Sequence, residues 1–409
     1  QGFAIEKRDS TVTLADLKGT PNEDESAKPV AVQQLLIGGS GVDAFAGVNG
    51  GRANALGLVL SEVDFAVAVN TERLSAEQIK AGQVGRVWRS AQASGAASFV
   101  GVDGLTVAAD TVTVNVNRAA WDSSVVDYAL TESSKDAADA RNTTLAVSTG
   151  PASTMTLDMD GARGQLLQVA GHLAIDAFGF VQVEGEFALE QASEVHKITL
   201  AGGSTTEARV LTLGAHDVNA FAGTGGGTDE ALGLQLGGVD FALALYSDVT
   251  DETRGWTALQ ARAQSAALVG VDGLEIRGQD LLVEINRADK EGDAVIDFGL
   301  SDPQDEQSER LTALTVRTGI DSSIEMTMEG ADGELTRAAG LMTVDAFGFF
   351  QVSGQLALER RDAQFILNDG VVSQDPAKAK APTQIEADLV TVGGSGLVAF
   401  VGVNGNSDN

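Results

Sequence analysis

The residues best suited to chemistry in this chain are oxygen ligands for a hard cation. Gly38-Gly39-Ser40-Gly41-Val42-Asp43-Ala44-Phe45-Ala46 fits the nonapeptide G-G-x-G-x-D-x-U-x, in which turn carbonyls and one carboxylate hold Ca²⁺ between successive turns. Loops rich in Asn, Asp and Gly follow at 48–54, 224–230 and 403–409. Calcium is therefore the expected cofactor, with Asp43, Asn49, Asp217, Asp229, Glu230 and Asp408 as candidate ligands. A glycine-rich turn entering a strand explains the nonapeptide as well, and ordinary turn chemistry explains the loops.

Catalytic chemistry has little to work with, and no enzyme is expected. The histidines are His172, His196 and His216, and the counterpart of His172 one repeat later is Leu341, which argues against a required general base. No G-x-S-x-G elbow, P-loop or HExxH occurs. A carbohydrate-binding or carbohydrate-cleaving β-helix is the enzyme-side alternative, because such folds carry carboxylate clusters along one outer face. Trp88 and Trp256 occupy equivalent positions. They read either as sugar-stacking platforms or as core plugs.

Composition narrows the partners. Lys+Arg 27 against Asp+Glu 58 gives a net charge of -31, which repels phosphate backbones and anionic lipid surfaces. Neither nucleic acid nor membrane insertion is expected, the latter also because no run of about eighteen apolar residues is present. Cysteine is absent, so disulfides and thiolate sites are excluded. The 43% hydrophobic content with Gly 48 and Pro 6 points to packed β structure.

The elements that would position these residues are repeated. Val63-Asp64-Phe65-Ala66 returns as Val239-Asp240-Phe241-Ala242, and Ala55-Leu56-Gly57-Leu58 as Ala231-Leu232-Gly233-Leu234. The words at 100–105, 117–119 and 176–180 return at 269–274, 286–288 and 345–349. The glycine-rich word at 38–41 reappears at 393–396, and 6–9 matches 359–362. This order predicts the end of a preceding repeat with a connector at 1–35, repeat units at 36–205 and 206–385, and the start of a third at 386–409. The extra stretch at 71–86 reads as a surface loop with a short capped turn at 75–82, and 133–141 as another such turn.

Apolar residues alternate at Val112, Val114 and Val116, the pattern of strands with one buried face. Segments 233–243 and 273–283 each read strand, glycine corner, strand, and their spacing equals two coils of a β-solenoid. The predicted fold is all-β: a tandem-repeat, β-helix-like β-solenoid with units of about 170 residues, the alternative being a string of β-sandwich modules. Repeated acidic residues at Asp64 and Asp240, Asp103 and Asp272, Asp176 and Asp345, and Glu190 and Glu359 read as architectural: Asp103 as a β-turn residue, Asp64 and Asp176 as binding backbone amides at coil corners or helping to bind ions. Asn117 and Asn286 read as strand-ending residues or as members of an asparagine ladder.

With the nonapeptide, the repeated words and the unit length in view, the chain resembles repeat arrays of giant secreted bacterial surface proteins of the RTX adhesin type. The resemblance implies secretion to the cell surface, calcium-dependent rigidity, and a role as stalk, filament subunit or adhesin shaft. Homotypic end-to-end or lateral association and a glycan or cell-surface target are the partners expected on this reading.

Overall fold

Alternation of apolar and polar side chains with period two makes strands, and strands dominate the chain. The computed structural model describes residues 1–15, 29–129, 143–290, 292–302, 304–305, 307–370 and 381–403. Two compact units are present: Gln1–Val195 with Arg209–Leu213 and Arg317–Ser322, and His196–Ala208 with Gly214–Val316 and Ser323–Asn409.

The first unit contains β1 (Gly2–Val12), β2 (Val30–Val48), β3 (Leu56–Glu72), α1 (Ala76–Lys80), β4 (Val87–Val100), β5 (Leu105–Arg118), β6 (Leu145–Ser148), β7 (Thr154–Leu157), β8 (Leu166–Ala177) and β9 (Val181–Ala192). Its sheet is a meander, β1-β2-β3-β4-β5-β8-β9, with each neighbour antiparallel. The small hairpin β6-β7 stands apart from it.

The second unit repeats the plan with β10 (His196–Thr199), β11 (Thr205–Thr224, part of which counts with the first unit), β12 (Leu232–Asp248), β13 (Gly255–Val269), β14 (Leu274–Ala288), β15 (Thr315–Arg317), β16 (Ser323–Glu325), β17 (Leu335–Ala346), β18 (Phe350–Ile366) and β19 (Gln384–Val401). Its meander runs β11-β12-β13-β14-β17-β18-β19, with β10 on β11.

The core lies over one half of one sheet face. In the first unit Val32, Leu36, Ala66, Ala68 and Trp88 pack against Val126, Tyr128, Val147, Leu157 and Met159 from the connection between β5 and β8. Beneath it runs a polar row: Gln34 Nε2 donates to Asn70 Oδ1 at 3.0 Å, Asn70 Nδ2 to the Tyr128 hydroxyl at 3.2 Å, that hydroxyl to Ser90 Oγ at 3.0 Å, and Ser90 to Asn117 Oδ1 at 3.0 Å. Asn117 closes the row by donating to the Val126 carbonyl at 2.8 Å. The second unit keeps the last bond, Asn286 to the Ile296 carbonyl at 2.7 Å, but Tyr246, Ala258 and Phe298 replace Asn70, Ser90 and Tyr128. Tyr246 and Phe298 meet with ring centroids 6.5 Å apart, so an apolar cluster takes over from a hydrogen-bonded one. Its residue is Asn286 Oδ1, buried without a partner.

Sequence-adjacent strands pair antiparallel, which overturns the β-solenoid, whose successive coils stack in parallel; separate sandwich modules are not seen among the described residues either. The 40-residue spacing of 233–243 and 273–283 is one strand up and one strand down, β12 to β14. Gly238, read as a corner, is a left-handed residue (φ 58°) inside β12, as Glu62 (φ 51°) is inside β3, where the register shifts. A bulge and a corner leave the same glycine signature. The capped turn at 75–82 is found: α1 carries a capping box between Ser75 and Gln78. The turn at 133–141 lies outside the described residues.

Ala258 faces Asn286 as Ser90 faces Asn117. Ala258→Ser should therefore stabilise the second unit by about 1 kcal/mol and Ser90→Ala should cost the first about 1–3 kcal/mol, both read from urea midpoints.

Candidate functional site

The calcium candidates are not gathered. The nonapeptide lies within the continuous strand β2, where Gly41 (φ 59°) forms a bulge and donates its N–H to Asp64 Oδ1 at 2.8 Å. Asp43 accepts from the Glu62 N–H at 3.1 Å and from Gln1 Nε2 at 2.9 Å, which ties down the same bulge. Asp217 (φ 48°) is the left-handed residue of the matching bulge, and its N–H donates to Asp240 Oδ1 at 2.9 Å. Asn49 (φ 58°) is a turn residue, and Glu230 donates its N–H to Thr228 in the turn that also holds Asp229. Asp408 lies outside the described residues. Among the described residues no group of three or more His, Asp or Glu is placed to hold a metal ion.

The architectural reading of the repeated acids is what the geometry shows at two pairs. Asp64 and Asp240 cap the bulges. Asp176 accepts from the Gly179 N–H and from Gln182, both at 2.8 Å, and Asp345 does the same with Gly348 at 2.8 Å and Gln351 at 2.7 Å. Trp88 and Trp256 are buried plugs, not sugar platforms. Each carries an arginine over its ring at 5.1 Å: Arg86, bound to Glu72 at 2.8 Å and Asp122 at 3.2 Å, and Arg254, bound to Asp248 at 3.1 Å and Asp293 at 3.0 Å. These clasps lock the strand ends at the base of each meander.

What sequence reasoning missed is the division between the sheet faces. Directly opposed residues on paired strands share a face. Along β8 and β9, whose register is unbroken, Leu167, Val169, Gly171, Leu173, Ile175 and Ala177 meet Gln191, Leu189, Phe187, Gly185, Val183 and Val181. The opposite face carries Gln168, His172 and Asp176 against Glu190, Glu186 and Gln182. One side is apolar for nearly the whole strand; the other sets these polar residues among Leu166, Ala170, Ala174, Ala188 and Ala192.

The rows continue across the meander. Leu58 faces Phe99, Phe99 faces Val107, Val107 faces Ile175, and Ile175 faces Val183. Lower down, Phe65, Ala93, Val114, Val169 and Leu189 form a second row. Below both, Lys7, Leu35, Val69, Arg89 and Arg118 form a row that ends the apolar field in basic residues. The second unit matches: Leu234, Leu268, Ile276, Val344, Val352 and Ala399 make one row, and Phe241, Ala261, Val283, Ala338, Leu358 and Val392 another. Leu234, Leu358 and Val392 are exposed, so this face carries no cover there. The polar face holds amide ladders, Gln92 Nε2 to Asn115 Oδ1 at 3.1 Å and Asn115 Nδ2 to Gln168 Oε1 at 2.8 Å, and in the second unit Arg337 bridges Glu284 at 3.0 Å and Glu359 at 2.9 Å.

An apolar face that continues across paired strands, with Leu234, Leu358 and Val392 exposed on it, is the kind of surface that suits contact with lipid or another protein. From Leu167 to Ala177 the apolar strip follows about 34 Å of strand. At the roughly 40° tilt of membrane-spanning strands this projects to about 26 Å, close to the apolar band of outer-membrane barrels. The signal available in the sequence was a polar residue at every fourth position, Gln168, His172 and Asp176, among mostly apolar ones, which a scan for unbroken apolar runs does not register. Among the described residues no helix is long and apolar enough to cross a membrane, a test that does not bear on strands.

No family model and no curated protein matches the chain. Among solved structures, the chain is similar to the crystal structure of the siderophore receptor PirA from Acinetobacter baumannii at 10% identity, covering 97% of this chain and 59% of that one. The TM-score is 0.21, too low to bear on the fold.

Asp248 gives the clasp a pH signature. Burial pushes its carboxyl up, but hydrogen bonds from Thr250, Asp251 and Thr206 outweigh that and hold it at about 2. A depressed carboxyl contributes stability that is full above its unfolded value of about 3.9 and is lost as pH falls through the folded value. Asp248→Asn should thus be less stable than the parent at neutral pH, and the gap in denaturation midpoint should close between about pH 4 and pH 2.

Proposed function

We propose that each meander is a membrane-spanning wall of the outer-membrane type, with its apolar face in hydrocarbon and its polar face lining an aqueous or protein-filled interior. The observation that carries this reading is the unbroken register of β8 and β9, which gathers Val169, Leu173, Ile175, Val183, Phe187 and Leu189 on one face and Gln168, His172, Asp176, Glu186 and Glu190 on the other, with small or apolar residues between them. Backbone groups within hydrocarbon must all be paired, and consecutive antiparallel strands supply that pairing. Short turns such as that between β8 and β9 alternate with long connections such as that between β5 and β8, as in bacterial outer-membrane proteins.

The reading replaces the expectation of no membrane insertion. The large negative charge that motivated it belongs to the polar face and the connections, while the apolar rows end in Lys7, Arg89 and Arg118. A bacterial cell-surface location and a non-catalytic, structural role remain part of the proposal, with calcium no longer needed for rigidity. Homotypic association remains part of the proposal as well: a strand edge in hydrocarbon must be paired, and strands of a second copy are one way to supply that pairing.

A face-selective pair of substitutions tests it. In phospholipid vesicles Leu173→Arg, in the middle of the apolar rows, should lose about 2–4 kcal/mol in urea titration, whereas Ala174→Arg on the other face should lose far less. Equal tolerance of both, or a chain that stays in the aqueous fraction when mixed with vesicles, would reject the wall.

A further inference from the structure

Both units close one hairpin with an unexpected residue. The turn between β8 and β9 places Phe178 (φ 58°) and Gly179 (φ 68°) in the left-handed region and closes with Phe180 N–H donating to the Ala177 carbonyl at 3.0 Å. The turn between β17 and β18 repeats it with Phe347 (φ 60°), Gly348 (φ 64°) and Phe349 N–H to Ala346 at 3.1 Å. Two consecutive left-handed residues favour Asn-Gly or Asp-Gly, and a bulky aromatic in the first position is strained. Such strain persists where the surroundings impose it, and here Asp176 and Asp345 pin the turns from below.

The strain is not repaid by burial. Phe178 and Phe347 are 58% and 75% exposed, and Phe180 and Phe349 are 55% each. One edge of the Phe178 ring does cover Gly104, where an added Cβ would lie 2.8 Å from the ring, and Phe347 covers Gly273 in the same way at 2.5 Å. The remainder of each ring is open. Each unit therefore holds two phenylalanines at a turn tip, at the edge of its apolar field and in a conformation that Asn would adopt more readily.

We infer that Phe178 with Phe180, and Phe347 with Phe349, are interfacial anchors that seat the tight turns in the boundary layer between lipid headgroups and hydrocarbon. The inference rests on the membrane-wall reading and gives that wall its depth. Aromatic residues concentrate at both membrane–water boundaries, and the apolar rows end within one residue of these tips, at Ala177 with Val181 and at Ala346 with Phe350. Basic residues mark the opposite limit of the field in the first unit, at Arg89 and Arg118.

The test uses the full chain in vesicles of phosphatidylcholine with phosphatidylglycerol, some of it brominated at shallow or at deep acyl positions. Phe178→Trp and Phe347→Trp, each compared with the parent chain to subtract the native tryptophans, should add emission that shallow bromines quench more strongly than deep ones. The double substitution Phe178→Asn with Phe347→Asn should leave the turns folded yet make urea extraction from vesicles several-fold easier. If the parent chain floats with vesicles while the new tryptophans emit as in water, or become shielded only as protein concentration rises, the anchor assignment is overturned and the wall stands. If the parent chain does not float, the wall fails first.

Discussion

The structure depends on registration: antiparallel neighbours with side chains opposed row by row, so that one face of each meander collects apolar groups and the other collects amides and carboxylates. A slip of one residue at any hairpin would exchange the two sets. Several features read as devices against such a slip. The Phe-Gly turns are pinned by Asp176 and Asp345, and the bulges at Gly41 and Asp217 are held by Asp64 and Asp240. Where a strand carries an extra residue, as β3 does at Glu62, the neighbouring strand's Asp43 accepts its N–H and fixes the place, and Asn219 accepts the N–H of the left-handed Gly238 in β12 in the same way. Local hydrogen bonds thereby enforce a long-range sorting of polarity.

The polar face is built to different rules in its two halves. Near the base it is covered by the connections from β5 to β8 and from β14 to β17, and burial there demands that each polar group find a partner. The first unit answers with the Gln34–Asn70–Tyr128–Ser90–Asn117 row; the second substitutes Tyr246 and Phe298 and leaves Asn286 Oδ1 unpaired. Two copies of one unit thus show that a buried polar network and an apolar cluster can fill the same space. The arginine–tryptophan clasps, conserved in geometry between the copies, mark the level at which covered core gives way to strand ends.

Much of this was legible in the residues, and the failures have physical causes. The all-β class followed from alternation. The backbone-binding roles of Asp64 and Asp176 followed from residue types repeated at fixed places, and burial of Trp88 and Trp256 was one of the two readings of those positions. Asn117, by contrast, joins a mixed row with Gln34, Asn70, Tyr128 and Ser90 and not an asparagine ladder. The solenoid did not survive because Gly238 punctuates a strand instead of ending it, and a two-strand period looks like two coils. The nonapeptide at 38–46 is ambiguous for a related reason: glycine with aspartate builds a strand bulge here with the same letters that build a calcium turn elsewhere. The apolar face went unseen because Gln168, His172 and Asp176 interrupt it in the sequence, so that no long unbroken apolar run forms, and a net charge cannot say which face carries it.

The central claim is that the two faces of β8 meet different solvents. The chain has no cysteine, so single cysteines placed in turn from Leu167 to Ala177 and spin-labelled would report on each position without interference. In lipid vesicles the account predicts that labels at Leu167, Val169, Leu173 and Ile175 collide with oxygen dissolved in hydrocarbon, while those at Gln168, His172 and Asp176 collide with a water-soluble nickel chelate or are shielded from both. Uniform accessibility along the strand, or aqueous collisions at Val169 and Leu173, would contradict it.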